Sequence, residues 1–178
     1  MKLFTYQHKN VYNAVMRDGV YRCNPRYSMA EGMEEVTKAY NWLFERMPGK
    51  PKENVIPFWA YYIYDGKNKK APVSEAVDPS VKKDFVLLTL EVDPSRVTLT
   101  DFDKWSAMII GGAVFGNDAS WDEIDAFHDK IDSMSKEDSE RAILATWNDV
   151  FNVDGADFVQ GTFWELRKED IVSVRTFR

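Results

Sequence analysis

A chain of 178 residues is long enough to bury a sizeable core, and one domain spanning 1–178 is expected. Its 44% hydrophobic and 29% charged residues exclude extended disorder, and a lone cysteine, Cys23, excludes an internal disulfide framework. No stretch nears the ~20 apolar residues of a membrane span and the first residues lack a signal-peptide core, so a soluble, cytoplasmic protein is expected.

Leu3–Gln7 is a short β-prone run. Asn10 reads as the N-cap of a helix carrying Val11, Ala14 and Val15, and Gly19 stops it. Val20–Arg22 is a brief strand before the turn Asn24-Pro25. Ser28 and Glu31 have capping-box spacing, and Met33, Val36, Tyr40, Leu43 and Met47 place one buried stripe on the following helix, which Pro48-Gly49 ends. Val55–Tyr64 is apolar on both alternating faces. It reads as a strand covered on both sides, with Pro57 restricting it to an edge or marking the strand's beginning. Asp65-Gly66 opens a loop bearing Lys67, Lys69 and Lys70. Phe85–Val92 is a strand, Asp93-Pro94-Ser95 its turn, and Val97–Thr100 continues the sheet.

Asp101 caps a helix over Phe102–Ile110 that stops at Gly111-Gly112. Ser120 and Glu123 form a second capping box. Behind it Trp121, Ile124, Phe127 and Ile131 face one way and Asp122, Asp125, Asp129 and Asp132 another. Ser135 begins a helix running through Trp147. Asp157–Leu166 and Ile171–Phe177 are the last strands, read as an antiparallel hairpin through Arg167-Lys168-Glu169-Asp170. Strands and helices do not alternate as βαβ units. An α+β fold is therefore expected: a mostly antiparallel sheet, continuous or split, with helices packed on it.

The net charge of −6 is unevenly spread. Residues 118–140 hold nine acids against Lys130 and Lys136, so the acidity belongs to that one segment. The stripe at 122–132 is either the solvated face of a helix or a surface that docks a basic partner or mimics nucleic-acid phosphates. The 14% of aromatic residues also has two readings, a core of large rings or rings that line a pocket.

Glu165 is an acid inside an aromatic, β-prone run, Phe-Val-Gln-Gly-Thr-Phe-Trp-Glu-Leu at 158–166. In a regular strand it shares a face with Val159, Gly161 and Phe163, while Phe158, Gln160, Thr162, Trp164 and Leu166 share the other. Burial would raise its pKa and suit it to general acid–base catalysis, with Gly161 leaving room for a ligand or another backbone. The competing reading is a structural carboxylate paired with Arg167, Lys168 or Arg175. Gln160 joins Glu165 in one site only if a bulge, such as one at Gly161, rotates one of them. Thr5 and Gln7 share a face of the first strand and either meet solvent or line a cleft. With Trp59, Gln160 and Trp164 they make up the candidate substrate-binding set around the candidate catalytic Glu165.

Other chemistry is sparse. Cys23, His8 and His128 have no zinc-type spacing, and Asp101 with Asp103 lacks further oxygen ligands, so no metal site is expected. There is no P-loop, no dinucleotide-binding glycine motif and no Ser-His-Asp arrangement. Direct nucleic-acid binding is not expected, since basic residues gather only at Lys67–Lys70 and the C-terminus.

Leu-Phe-Thr-Tyr-Gln at 3–7, Ala-Tyr-Asn-Trp-Leu at 39–43, Pro-Phe-Trp-Ala-Tyr-Tyr at 57–62, Asp-Phe-Asp-Lys-Trp at 101–105 and Gln-Gly-Thr-Phe-Trp-Glu-Leu at 160–166 resemble, in that order, a bacterial and phage family called domain of unknown function 3841. The resemblance spans almost the whole chain. It implies a single cytosolic domain and brings no activity, substrate or cofactor. By analogy of layout alone, the polar first strand and helix, the aromatic middle strand and the late Glu-bearing strand are similar to the ADP-ribosyltransferase fold. There a split antiparallel sheet grips NAD, and the late Glu orients the nicotinamide ribose. The analogy implies NAD as ligand and Glu165 as that residue. The chain departs from it at Phe163, where a Gln or Glu is common, and at Thr5, nearest to a first-strand Arg or His. Two functions are therefore expected in alternative: a nucleotide- or NAD-handling pocket domain, or a non-catalytic interaction protein of phage or mobile-element origin using residues 118–140 against a basic partner.

Overall fold

The computed structural model describes residues 1–27 and 33–178. In chain order these form β1 (Lys2–His8), α1 (Lys9–Asp18), β2 (Val20–Tyr21), α2 (Glu34–Phe44), β3 (Phe58–Ile63), α3 (Val73–Ala76), β4 (Phe85–Glu91) and β5 (Thr98–Asp101). They continue with α4 (Phe102–Ile109), α5 (Trp121–Asp132), α6 (Lys136–Thr146), β6 (Val159–Phe163), β7 (Leu166–Arg167) and β8 (Ile171–Thr176). The fold is α+β, with every strand pairing antiparallel. Six strands lie in the order β5-β6-β3-β1-β4-β8, and β2 and β7 form a separate two-stranded ribbon.

The sheet is held unevenly at its centre. β1 pairs with β4 from Lys2 opposite Glu91 to His8 opposite Phe85, but meets β3 at one position only, Phe4 opposite Tyr61. Beyond it a side chain bridges the strands: the Thr5 hydroxyl donates to the Trp59 carbonyl at 2.9 Å. The sheet is continuous, and the β1–β3 seam is its most sparsely paired junction.

Each face carries its own core. On one, Leu3, Phe58, Ala60, Leu88, Leu90 and Phe163 pack with Val15 of α1 and Leu166 of β7. On the other, Ala39 and Leu43 of α2, Trp105 and Met108 of α4, Trp147 and Trp164 cluster with Trp59 packed against them. Burying one such aliphatic or aromatic side chain stabilises by about 1.5–3 kcal/mol. Gly161 belongs to the first core. A Cβ there would lie 3.1 Å from both Leu3 Cδ2 and Val97 Cγ1, so the space beside it is filled by packing.

Local signals set several boundaries. Gly19 adopts φ 84° and donates to the Val15 carbonyl, ending α1. Asp101 accepts from the Asp103 and Lys104 amides at the start of α4, and Ser120 with Glu123 closes a capping box on α5. The Ser28–Glu31 pair lies outside the described residues.

Elsewhere the chain departs from the sequence-based expectation. α1 is capped by His8, whose Nδ1 accepts from the Asn10 amide, because the helix starts as soon as β1 ends. Met33 is 58% exposed and Trp121 79%, both lying at helix starts beyond the reach of the covering elements. β6 and β8 are not a hairpin. β6 lies between β5 and β3, whereas β8 pairs with β4 at the far edge. The chain bends after Phe163, pairs as β7 with β2, and turns through Lys168–Asp170 before β8. Arg96 secures that route, donating to both Asp170 oxygens at 2.7 and 3.0 Å and to the Glu165 carbonyl at 3.0 Å. Among the described residues, no helix is long and apolar enough to cross a membrane.

Candidate functional site

A cavity of about 470 Å³ opens at the β1–β3 seam, within the ~300–1,000 Å³ usual for small-molecule sites. Its lining comes from Thr5 and Tyr6 of β1, Trp59 to Ile63 and Tyr64 on and after β3, Phe158 to Gln160 at the start of β6, and Phe102 and Asp103 of α4. The loop between β3 and β4 adds Ala71, Glu75 and Ala76. That loop is tied down by Tyr6, whose hydroxyl donates to the Ala71 carbonyl at 2.7 Å.

Gln160 brings the polar function. Gln160 pairs with Thr100 in the unbroken β5–β6 register and with Tyr61 on β3, where the β3–β6 register shifts immediately beyond, between Tyr61 and Ile63. Its position opposite Tyr61 puts its side chain on the face of Tyr61 and Trp59, toward the cavity it lines. Gln160 is only 9% exposed, and its Nε2 has no hydrogen-bond partner among the described residues. The buried hydroxyls of Thr98, Thr100 and Thr162, its neighbours on β5 and β6, are likewise unpartnered. A buried donor left unmade costs about 1–3 kcal/mol, so this row does not serve stability.

The walls are aromatic. Tyr6 and Tyr61 meet edge to face at 6.4 Å, Tyr61 and Tyr64 at 6.1 Å, and Tyr64 and Phe158 at 5.2 Å. Trp59 leans on Trp105 at 5.1 Å, which fixes the wall against the second core. Burial pushes the Tyr61 hydroxyl above its ordinary pKa, and the Glu75 carboxylate adds to the shift. Tyr64 donates to Glu75, and that bond pushes its pKa up to about 12. All three tyrosines stay protonated near neutral pH, with the hydroxyl donors of Tyr6 and Tyr64 given to Ala71 and Glu75.

Thr5, Trp59 and Gln160 of the sequence-based set therefore line one cavity, and Gln7 supports it by donating from Nε2 to Thr5 Oγ1 at 2.8 Å. Trp164 and Glu165 do not. Trp164 donates from Nε1 to the Pro48 carbonyl at 3.0 Å and lines a separate cavity of about 440 Å³ beside residues 50–56. Glu165 lies after the bend, in the gap between β6 and β7. Arg22 donates to its Oε2 at 2.9 Å and Arg167 to its Oε1 at 2.7 Å. Burial pushes its pKa upward, but the two guanidinium pairs together hold it below the ordinary carboxylate value. The expected upward shift is reversed, because partners accompany the burial. No bulge at Gly161 brings Gln160 and Glu165 together: the β5–β6 pairing runs unbroken from Thr162 to Val159.

Sequence reasoning missed Tyr61, Tyr64, Glu75 and Phe158 as cavity residues. Tyr61 could have been found, since it alternates with Trp59 on a strand; Glu75, in a loop with no motif, could not. Cys23 is no nucleophile candidate, since burial pushes its thiol up to about 11. Among the described residues no three His, Cys, Asp or Glu side chains gather as metal ligands would.

No curated protein and no solved structure matches the chain. The family model described as domain of unknown function (DUF3841) matches residues 2–172, and the chain belongs to that family.

Proposed function

We propose that the seam cavity binds the base end of a nucleotide, with the nicotinamide of NAD as the ligand that suits it best. Gln160 carries this reading: a buried amide with an unpartnered donor, placed beside aromatic walls at the cavity, fits a planar heterocycle bearing a carbonyl. Trp59 is the further contact, and Thr5, bonded to the Trp59 carbonyl and held by Gln7, braces the seam. The sparse pairing between β1 and β3 is the feature that bears on the likeness to ADP-ribosyltransferases, although the six strands form one continuous sheet. Were the ligand cleaved there, Glu75 and Asp103 are the carboxylates that line the cavity, and Glu165 is not. Calorimetric titration with NAD tests the reading. The wild-type chain is expected to bind, and Gln160→Leu to weaken binding by about tenfold or more, the worth of one hydrogen bond in a buried site. No heat and no thermal shift at millimolar NAD would overturn it.

A second reading concerns α5. None of its residues is buried, and Trp121 stands 79% exposed beside Asp122 and Asp125. An exposed ring among acids suits a basic protein partner. Charge reversal at Asp122, Asp125 and Asp129 should abolish capture of such a partner while leaving the melting temperature unchanged; unchanged capture would sink the idea.

A further inference from the structure

The charges around the seam cavity are one-sided. Among the described residues its lining holds two ionisable acids, Glu75 and Asp103, and no lysine, arginine or histidine. The nearby cations stand outside the lining. Lys69 approaches the Tyr64 ring at 5.7 Å but is paired with Asp65 at 2.7 Å; Arg175, outside the lining and 5.9 Å from the Phe177 ring, exerts its charge on Tyr6. The walls add to the bias, since aromatic faces carry negative potential and attract cations. Glu75 is fixed in this setting by the hydroxyl of Tyr64. A phosphate entering the cavity would meet two acids in the lining and no cation among its described lining residues.

We infer that the cavity selects a positively charged planar ring over its neutral counterpart, and that Glu75 sets this preference. The inference rests on the proposed reading of the cavity as a site for a carbonyl-bearing heterocycle, and narrows it to the cationic, N-alkylated pyridinium class. Gln160 supplies the independent sign that a ligand belongs there: 9% exposed, it keeps an unpartnered amide donor for the ring's carbonyl. The two features divide the work. Gln160 reads the substituent, which neutral and charged rings share, while Glu75 and the ring faces read the charge.

Two probes differing in that charge, nicotinamide and 1-methylnicotinamide, test the inference by titration against the full chain. The wild type should bind the cation about tenfold more tightly, a ratio that shrinks as salt screens Glu75. Glu75→Gln keeps an acceptor for Tyr64, so the fold should stand. It should cut the ratio several-fold and leave nicotinamide affinity within about twofold. Equal binding of the two probes by the wild type, or a ratio unmoved by Glu75→Gln, overturns the charge preference and leaves the carbonyl-ring reading standing. Binding of neither probe overturns both.

Discussion

Gln160 and Glu165 lie five residues apart in one aromatic run and have opposite surroundings. Glu165, the conspicuous residue, has both carboxylate oxygens taken by Arg22 and Arg167, and its own carbonyl by Arg96. Gln160, an unremarkable amide in a strand, is buried with a donor unused at the edge of a cavity. A charge in an apolar stretch identifies a group that needs partners. A polar group without them, next to open space, marks a candidate site. The Glu165 region is a clasp that holds β7 and the turn before β8, and the β1–β3 seam is the region left open.

The sharpest way to separate the two regions is to break the clasp at its most buried ion pair. Asp170, whose side chain is 4% exposed, takes a two-pronged contact from Arg96 and accepts from the Arg167 amide. Asp170→Ala leaves a partly buried guanidinium unpaired and should cost about 3–5 kcal/mol in urea unfolding. A loss under 1 kcal/mol would show that the turn is not held this way.

Glu165→Gln is the direct test of the residue that looks catalytic. It should destabilise by about 1–2 kcal/mol, since its arginine partners are partly exposed, and leave ligand affinity at the seam unchanged. The pH dependence has a defined sign. With the folded pKa held below the ordinary glutamate value of 4.5, the carboxylate's contribution is complete above that value and is lost as pH falls through the folded pKa. The stability gap between wild type and Glu165→Gln should be widest near neutral pH and close in acid. A gap that persists in acid, or loss of binding, would break the comparison.

The smallest effect should come at Gln160, and in the opposite direction. Gln160→Met removes an unsatisfied donor at similar volume, so stability should be unchanged or rise by up to about 1 kcal/mol while ligand binding falls. A clear loss of stability would place Gln160 among the structural residues, with Glu165.

Much of the local structure was legible in the chain. Gly19 ends α1 because it can adopt a left-handed backbone, and Asp101, Ser120 and Ser135 start helices because their oxygens reach amides two or three residues away. The motif order placed the chain in its family without reference to any contact. These signals act over one turn of chain, and sequence spacing states them completely. Part of the cavity was legible as well, since Thr5, Trp59 and Gln160 are polar or aromatic residues on strands.

What only the tertiary structure decided depends on distance along the chain. Glu165's first partner, Arg22, is 143 positions away, and no spacing rule connects them. The same holds for β8, which joins β4 at the sheet edge instead of its sequence neighbour β6. Pairing between strands follows the burial of whole faces, so a strong local turn signal is overridden when the chain is anchored by Arg96 on the way. Residue types and caps set which elements form. Long-range packing decides which polar groups find partners, and so distinguishes the clasp at Glu165 from the open seam at Gln160.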